Sequence, residues 1–164
     1  MAIITDLSSE ELKRYLPPLS RKPDYDEFWK RTIEESKREP LNAELKPVSY
    51  PVDSIDTFKA FYNGFKGARI CGWYIRPKDR TDCSALLFLH GYGGHKGRIY
   101  DYLGWALQGY VVLAIDVRGQ AGESSDSERY SSGHVTGWMT KSILNPGEYY
   151  YRGAYVDCVR ALDL

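Results

Sequence analysis

Neither sign of charge is in surplus in this chain. Over 164 residues, 22 lysines and arginines face 22 aspartates and glutamates. That balance argues against a nucleic-acid partner, because neutralising phosphates takes a basic excess. Cysteine is scarce, at three residues. Cys71, Cys83 and Cys158 are odd in number and none has C-x-x-C spacing, so neither a disulfide framework nor a zinc ribbon is expected. They read as buried, inert thiols in a reducing compartment. No apolar run approaches the ~20 residues of a membrane helix. The start, MAIITDLSSEELKR, lacks the basic and apolar regions of a secretory signal. Together these absences predict a cytoplasmic protein with no membrane partner. Internal repeats and low-complexity tracts are also missing. The remainder is ordinary globular composition, 43% hydrophobic and 27% charged.

The first 45 residues read as helical. Ser8 or Ser9 can cap a short helix through Glu10, Glu11 and Leu12, stopped by Pro17-Pro18. A second helix follows Pro23-Asp24, with Phe28, Trp29, Thr32 and Ile33 at helical spacing and Pro40 as its end. Trp29 is expected as a core anchor. The pattern then changes to period 2. Residues 45–52 carry two prolines and suit an edge strand. Residues 56–63 and 68–76 alternate and flank the turn signal Asn63-Gly64. In the second of these, Ile70, Gly72 and Tyr74 share one face, and Cys71, Trp73 and Ile75 the other.

Beyond Pro77–Asp82, residues 85–89 and 110–115 are continuous apolar runs, the mark of parallel strands covered on both faces. A helix at 98–108, with Ile99, Leu103, Ala106 and Leu107 inward and Gly109 as its stop, completes a β-α-β unit. A long loop runs from Arg118 to about Val135. A short helical piece is expected at 137–143. Residues 148–164 form an amphipathic helix whose apolar face is Tyr151, Tyr155, Cys158, Val159 and Leu162.

In such sheets ligands sit beyond the carboxyl ends of the strands. Two glycine-bearing segments lie there, His90–Gly97 and Asp116–Gln120. A strand ending in His-Gly, then glycines and a helix, is similar to the oxyanion-hole loop of α/β-hydrolases. A plain strand-to-helix turn reads as well from the spacing. A phosphate loop reads less well, since Lys96 is followed by Gly97 and no P-loop register is present. Asp116 and Arg118 could pair with each other, a structural role.

Five stretches together are specific: Gly91-Tyr92-Gly93-Gly94, Asp116-Val117-Arg118-Gly119-Gln120, Gly137-Trp138-Met139-Thr140-Lys141-Ser142-Ile143-Leu144, Tyr149-Tyr150-Tyr151-Arg152 and Asp157-Cys158-Val159-Arg160-Ala161. In this order they resemble the acetyl xylan esterase / cephalosporin C deacetylase family, a carbohydrate-esterase branch of the α/β-hydrolases. Glu11-Leu12, Asp26-Glu27-Phe28-Trp29 and Gly72-Trp73 are similar too, so the resemblance covers essentially the whole chain. It implies an α/β fold: the N-terminal half of an α/β-hydrolase, with antiparallel first strands, then β-α-β parallel strands with flanking helices. Residues 1–45 would be a helical segment packing on the sheet. Residues 46–164 would be the first half of the hydrolase domain, ending before the nucleophile elbow.

The implied activity is that of a serine carboxylic-ester hydrolase. It would deacetylate small substrates such as xylo-oligosaccharides or cephalosporin C, with no cofactor and no metal, in a hexameric ring. Tyr92 matches the residue whose backbone N–H forms half of the oxyanion hole. Gly91, Gly93, Arg118, Gly119 and Gln120 would support the site loops.

The chain departs from the family in one respect. It has no G-x-S-x-G elbow, and Gly122-Glu123-Ser124-Ser125-Asp126 fails at the last position. The resemblance therefore places nucleophile, acid and base beyond Leu164 and implies an inactive chain in isolation. His90, His95 and His134 are expected to be structural or solvated, because without a serine on an elbow a His–Ser contact is not an activated nucleophile. Residues 85–89 would lack their second strand neighbour and expose an apolar edge. That predicts a homo-oligomer or a partner supplying the second half. The alternative is a non-catalytic relative that binds acetylated sugars or a family subunit.

Overall fold

The computed structural model describes residues 6–134 and 137–164. Helix α1 (Ser9–Leu12) is capped as expected, the Ser8 and Glu11 side chains each serving the other's backbone. Helix α2 (Tyr25–Ser36) follows. It stops before Pro40, and its end is held from outside: Arg160 donates to the carbonyls of Ser36, Glu39 and Asn63. A cation there adds a donor for the last carbonyls and offsets the negative end of the helix dipole. Trp29 does not anchor the core. It is half-buried, stacked between Phe28 and Tyr155 on the surface of α2.

Five strands make one sheet: β1 (Glu44–Pro47), β2 (Ile55–Asn63), β3 (Arg69–Pro77), β4 (Ala85–Leu89) and β5 (Val111–Ile115), in the order β1-β2-β3-β5-β4. The first three and the β3–β5 pair are antiparallel, and β4 runs parallel to β5. The alternation read from 68–76 is what separates the two faces. Ile70 and Tyr74 pack with Leu113, Ile115 and Ala161 on one side. Trp73 and Ile75 pack with Val112, Ile99 and Ala106 on the other. Helix α4 (Tyr150–Arg160) covers the first side. On the second side lies a 3-10 turn (Ile99–Tyr102) running into α3 (Leu103–Leu107). The expected single helix at 98–108 is thus split. Three residues per turn in its first part shift the phase, so Leu107 ends exposed while Ile99 and Ala106 stay buried.

Two other expectations need correcting. Residues 138–144 form consecutive turns, not a helix. Ser142, at φ +54°, lies in the left-handed region that breaks a helix. Helix α4 is rotated from the expected face. Its buried residues are Tyr150, Gly153, Ala154, Val156, Asp157 and Arg160, while Tyr155 and Val159, and Leu162 in the 3-10 turn (Ala161–Asp163) after the helix, are exposed. Of the cysteines, Cys71 is fully buried, and Cys83 and Cys158 are half-buried; all three are free. The expected end of the long loop, near Val135, lies outside the described residues.

Candidate active site

The carboxyl ends of β4 and β5 carry the two glycine-bearing loops, side by side. His90 joins them. The Val117 N–H donates to His90 Nε2 at 2.9 Å, so the ring proton sits on Nδ1, which faces the Gly91 carbonyl at 2.7 Å. The same carbonyl accepts the Gly94 N–H at 3.0 Å. In a trans peptide the C=O and N–H point opposite ways. Holding the Gly91 carbonyl from two donors therefore turns the Tyr92 N–H outward, and it meets no acceptor among the described residues. Gly93, at φ +72°, makes the turn that brings the chain back, which a side chain would strain. Its N–H donates to Gln120 Oε1 at 2.7 Å. Trp138 braces both loops: its ring meets Tyr92 edge-on at 5.1 Å and its Nε1–H donates to the Gly119 carbonyl.

In front of the Tyr92 loop is an open cleft. Leu89, Val117, Gln120, Tyr151, Tyr155 and Cys158 are among its walls. It lies at the carboxyl end of β4, whose outer edge pairs with no strand among the described residues. Leu89 is 51% exposed there.

Asp116 and Arg118 do not pair with each other. Each is buried and takes a separate partner. Asp116 accepts from Lys96 Nζ at 2.6 Å and from the backbone N–H groups of Lys96 and Glu123. Glu123 in turn accepts from Lys96 and Lys59. Burial presses Lys96 toward its neutral form, but the bonds to Asp116 and Glu123 outweigh it and hold its pKa above the usual lysine value. Cys71, Asp116 and Glu123 lie close enough to share a metal ion, but the Lys96 ammonium already supplies the positive charge between the two carboxylates.

Arg118 forms a fork with Asp157, Nε to Oδ2 and Nη2 to Oδ1, both at 2.6 Å. It also donates to the Phe65 carbonyl. Asp157 accepts the Phe65 N–H as well. The guanidinium crosses α4 at Gly153, where a Cβ would stand 2.7 Å from its Nη1. Burial opposes the charge on Arg118, and Asp157 overrides it, so the group stays protonated. Asp126, Lys141 and the Tyr130 hydroxyl gather beside this pair. They tie the long loop down although it has no regular structure.

The expected site residues are therefore brought together: Tyr92 with Gly91 and Gly93 on one loop, Arg118, Gly119 and Gln120 on the other. Lys96, Tyr150 and Asp157 complete the arrangement and were missed. The signal for Asp157 is an acid four residues after a glycine, on the helix face that also carries Ala154. No serine hydroxyl meets a histidine nitrogen among the described residues. Ser124, in the imperfect elbow, bonds the Cys71 N–H and the Asp116 carbonyl instead. His95 and His134 are exposed.

A sheet that turns parallel after an antiparallel start, with a glycine loop presenting a backbone N–H at the carboxyl end of its first parallel strand, has the fold of the α/β-hydrolase class. The model of the acetyl xylan esterase (AXE1) family matches residues 1–164, and the chain belongs to that family. Among solved structures, the acetyl xylan esterase from Paenibacillus sp. R4 is 40% identical, with a TM-score of 0.91 over 96% of this chain and 51% of that one. Acetyl xylan esterase 1 from Thermoanaerobacterium sp. JW/SL YS485 is 28% identical, with a TM-score of 0.89 over 96% of this chain and 50% of that one. The acetyl esterase Axe7A of Xylanibacter ruminicola is 25% identical over 90% of this chain and 35% of its own length. The chain thus spans about half the length of these solved relatives. Among the described residues no helix is long and apolar enough to cross a membrane.

Proposed function

We propose that this chain is the oxyanion-side half of a serine acetylesterase. The Tyr92 N–H supplies one donor for the tetrahedral intermediate, and backbone donors of this kind stabilise charge that appears only in the transition state. Gly91 and Gly93 give the loop its shape, and Arg118, Gly119 and Gln120 hold the loop behind it. The Ser-His-Asp triad comes from a second half that seats on the outer edge of β4 and fills the cleft. The substrates are small acetylated sugars such as xylo-oligosaccharides, with cephalosporin C as a second acetyl ester of suitable size. The compartment is the cytoplasm, and assembly into a family-like oligomer follows once both halves are present.

The observation that carries this reading is the outward Tyr92 N–H beside the unpaired edge of β4, in a chain half the length of its esterase relatives. The two edges of the sheet support it. The β1 edge carries Glu44, Lys46 and Pro47, which discourage pairing, whereas the β4 edge is Ala-Leu-Leu-Phe-Leu with nothing to discourage it. The test is complementation. The chain is mixed or co-expressed with the second half of the Paenibacillus relative, and acetate release from acetylated xylo-oligosaccharides is followed. The expected result is no turnover by the chain alone and turnover by a one-to-one complex. Turnover by the chain alone would overturn the proposal. So would a stable complex that binds acetylated sugar without releasing acetate, which is the outcome a binding-only relative gives.

A further inference from the structure

The Gln120 carboxamide can face Gly93 in two ways, with its oxygen or with its NH2, and only one lets Gly93 donate. Tyr150 decides between them. Its hydroxyl donates to the Arg118 carbonyl at 2.5 Å, and a phenol has one proton to give. Toward Gln120 it can therefore only accept, and Gln120 Nε2 donates to it at 2.9 Å. With the NH2 committed at that end, Oε1 must face the other way, where the Gly93 N–H meets it at 2.7 Å. Reversing the amide would set NH2 against the Gly93 N–H and oxygen against a phenol with no proton left. Two bonds would be replaced by two repulsions. Burial raises the Tyr150 phenol above its usual pKa, so the hydroxyl keeps its proton through the neutral range.

Tyr150 is itself held in place. It is fully buried at the first turn of α4, and the ammonium of Lys141 lies over its ring. Three residues further along the same helix, Gly153 admits the Arg118 guanidinium on its way to Asp157. The carbonyl that receives the phenol proton is thus that of a residue whose side chain is fixed by the same helix.

We infer that Tyr150 is a positioning residue for the oxyanion loop: through Gln120 it fixes the peptide plane that follows Tyr92, while His90 fixes the plane that precedes it. The Tyr92 N–H is then aimed before any substrate arrives, as preorganised stabilisation requires. Its purpose rests on the acetylesterase reading. The hydrogen-bond role does not.

The test uses amide hydrogen exchange, read residue by residue by NMR on the 164-residue chain. Tyr150→Phe removes the phenol proton and the acceptor together. The Gly93 amide should then exchange about fivefold to tenfold faster, as expected for loss of one net hydrogen bond. Amides in β5 should not change. Gln120→Glu is the decisive second change, because a carboxylate presents an oxygen to Gly93 whichever way it turns. In the Tyr150→Phe background it should restore Gly93 protection. Unchanged Gly93 exchange in Tyr150→Phe would overturn the inference. Faster exchange that Gln120→Glu does not reverse would overturn it too, since that is general loosening of α4. In the assembly with a second half, Tyr150→Phe should lower kcat more than it changes KM. Rescue of the amide together with no acetate release in any variant would sink the acetylesterase reading and leave the positioning role standing.

Discussion

Helix α4 has two unlike faces. The face turned to the protein carries Gly153, Ala154 and Val156, but also Asp157 and Arg160, all buried. The face turned outward carries Tyr155 and Val159, both exposed, continued by exposed Leu162 in the 3-10 turn (Ala161–Asp163) that follows, with half-buried Tyr151 and Cys158 beside them. In a self-contained amphipathic helix the charges would face water and the large apolar groups the core. Here the order is inverted, because burial follows what the opposite surface offers. Asp157 meets Arg118, and Arg160 meets the carbonyls of Ser36, Glu39 and Asn63. Tyr151, Tyr155 and Cys158 of the outward side line the cleft at the carboxyl end of β4. The charged face holds this half together, and the apolar face is the surface on which the proposed second half would close.

The largest expected effect is on the charged face. Asp157→Ala leaves a buried guanidinium without its partner and should destabilise the chain by about 3–5 kcal/mol in urea unfolding. A loss under about 1 kcal/mol, the size of an exposed pair, would mean that the inward charges carry none of the weight assigned to them. Arg160→Ala removes donors to the end of α2 and should cost about 2 kcal/mol. The same experiment with amide exchange should show residues 33–36 losing protection before the sheet does.

The outward face should behave oppositely. Tyr155→Ser combined with Leu162→Ser is expected to change stability by no more than about 0.5 kcal/mol. It should also shift the chain toward monomer in sedimentation velocity. A large loss of stability there would show that the stripe is already core, and the contrast between faces would collapse.

A finer probe is Cys158, on the boundary between the faces. Burial raises its thiol to about 11, so little of it is thiolate at pH 8. Alkylation should be slow, rising about tenfold per pH unit until that value is approached. Binding of a second half should abolish it.

The smallest effect is on pH dependence. Hydrogen bonds from Lys59 and Lys96 hold the Glu123 carboxyl below its ordinary value of 4.5. A carboxyl depressed in the folded state stabilises it above the unfolded value, and that contribution disappears as pH falls through the folded value. The urea midpoint of the wild type should therefore fall more steeply below pH 4.5 than that of Glu123→Gln.

Much of this was legible in the residues. Period-2 alternation at 56–63 and 68–76 and the apolar runs at 85–89 and 110–115 mark strands because backbone geometry dictates which residues share a face. Pro47 marks an edge because it cannot donate to a ladder. Tyr92, Gly91, Gly93, Arg118, Gly119 and Gln120 stood out through motif order. What sequence reasoning misplaced is equally specific. The outward stripe of α4 was read as core, because hydropathy ranks Tyr, Cys and Leu above Asp and Arg without regard to partners. The turns at 138–144 were read as a helix, since nothing local announces the left-handed Ser142.

The sequence by itself determined the strands, their faces, the glycine turn at Gly93 and the family, because these depend on spacing along one chain. Only the tertiary structure decided the pairings: Arg118 with Asp157 and not Asp116, Asp116 with Lys96, and Gln120 held between Tyr150 and Gly93. These contacts join residues 20 to 39 positions apart. A buried charge or amide accepts whichever partner the fold brings within hydrogen-bond reach, and that distance is not written in the order of the residues.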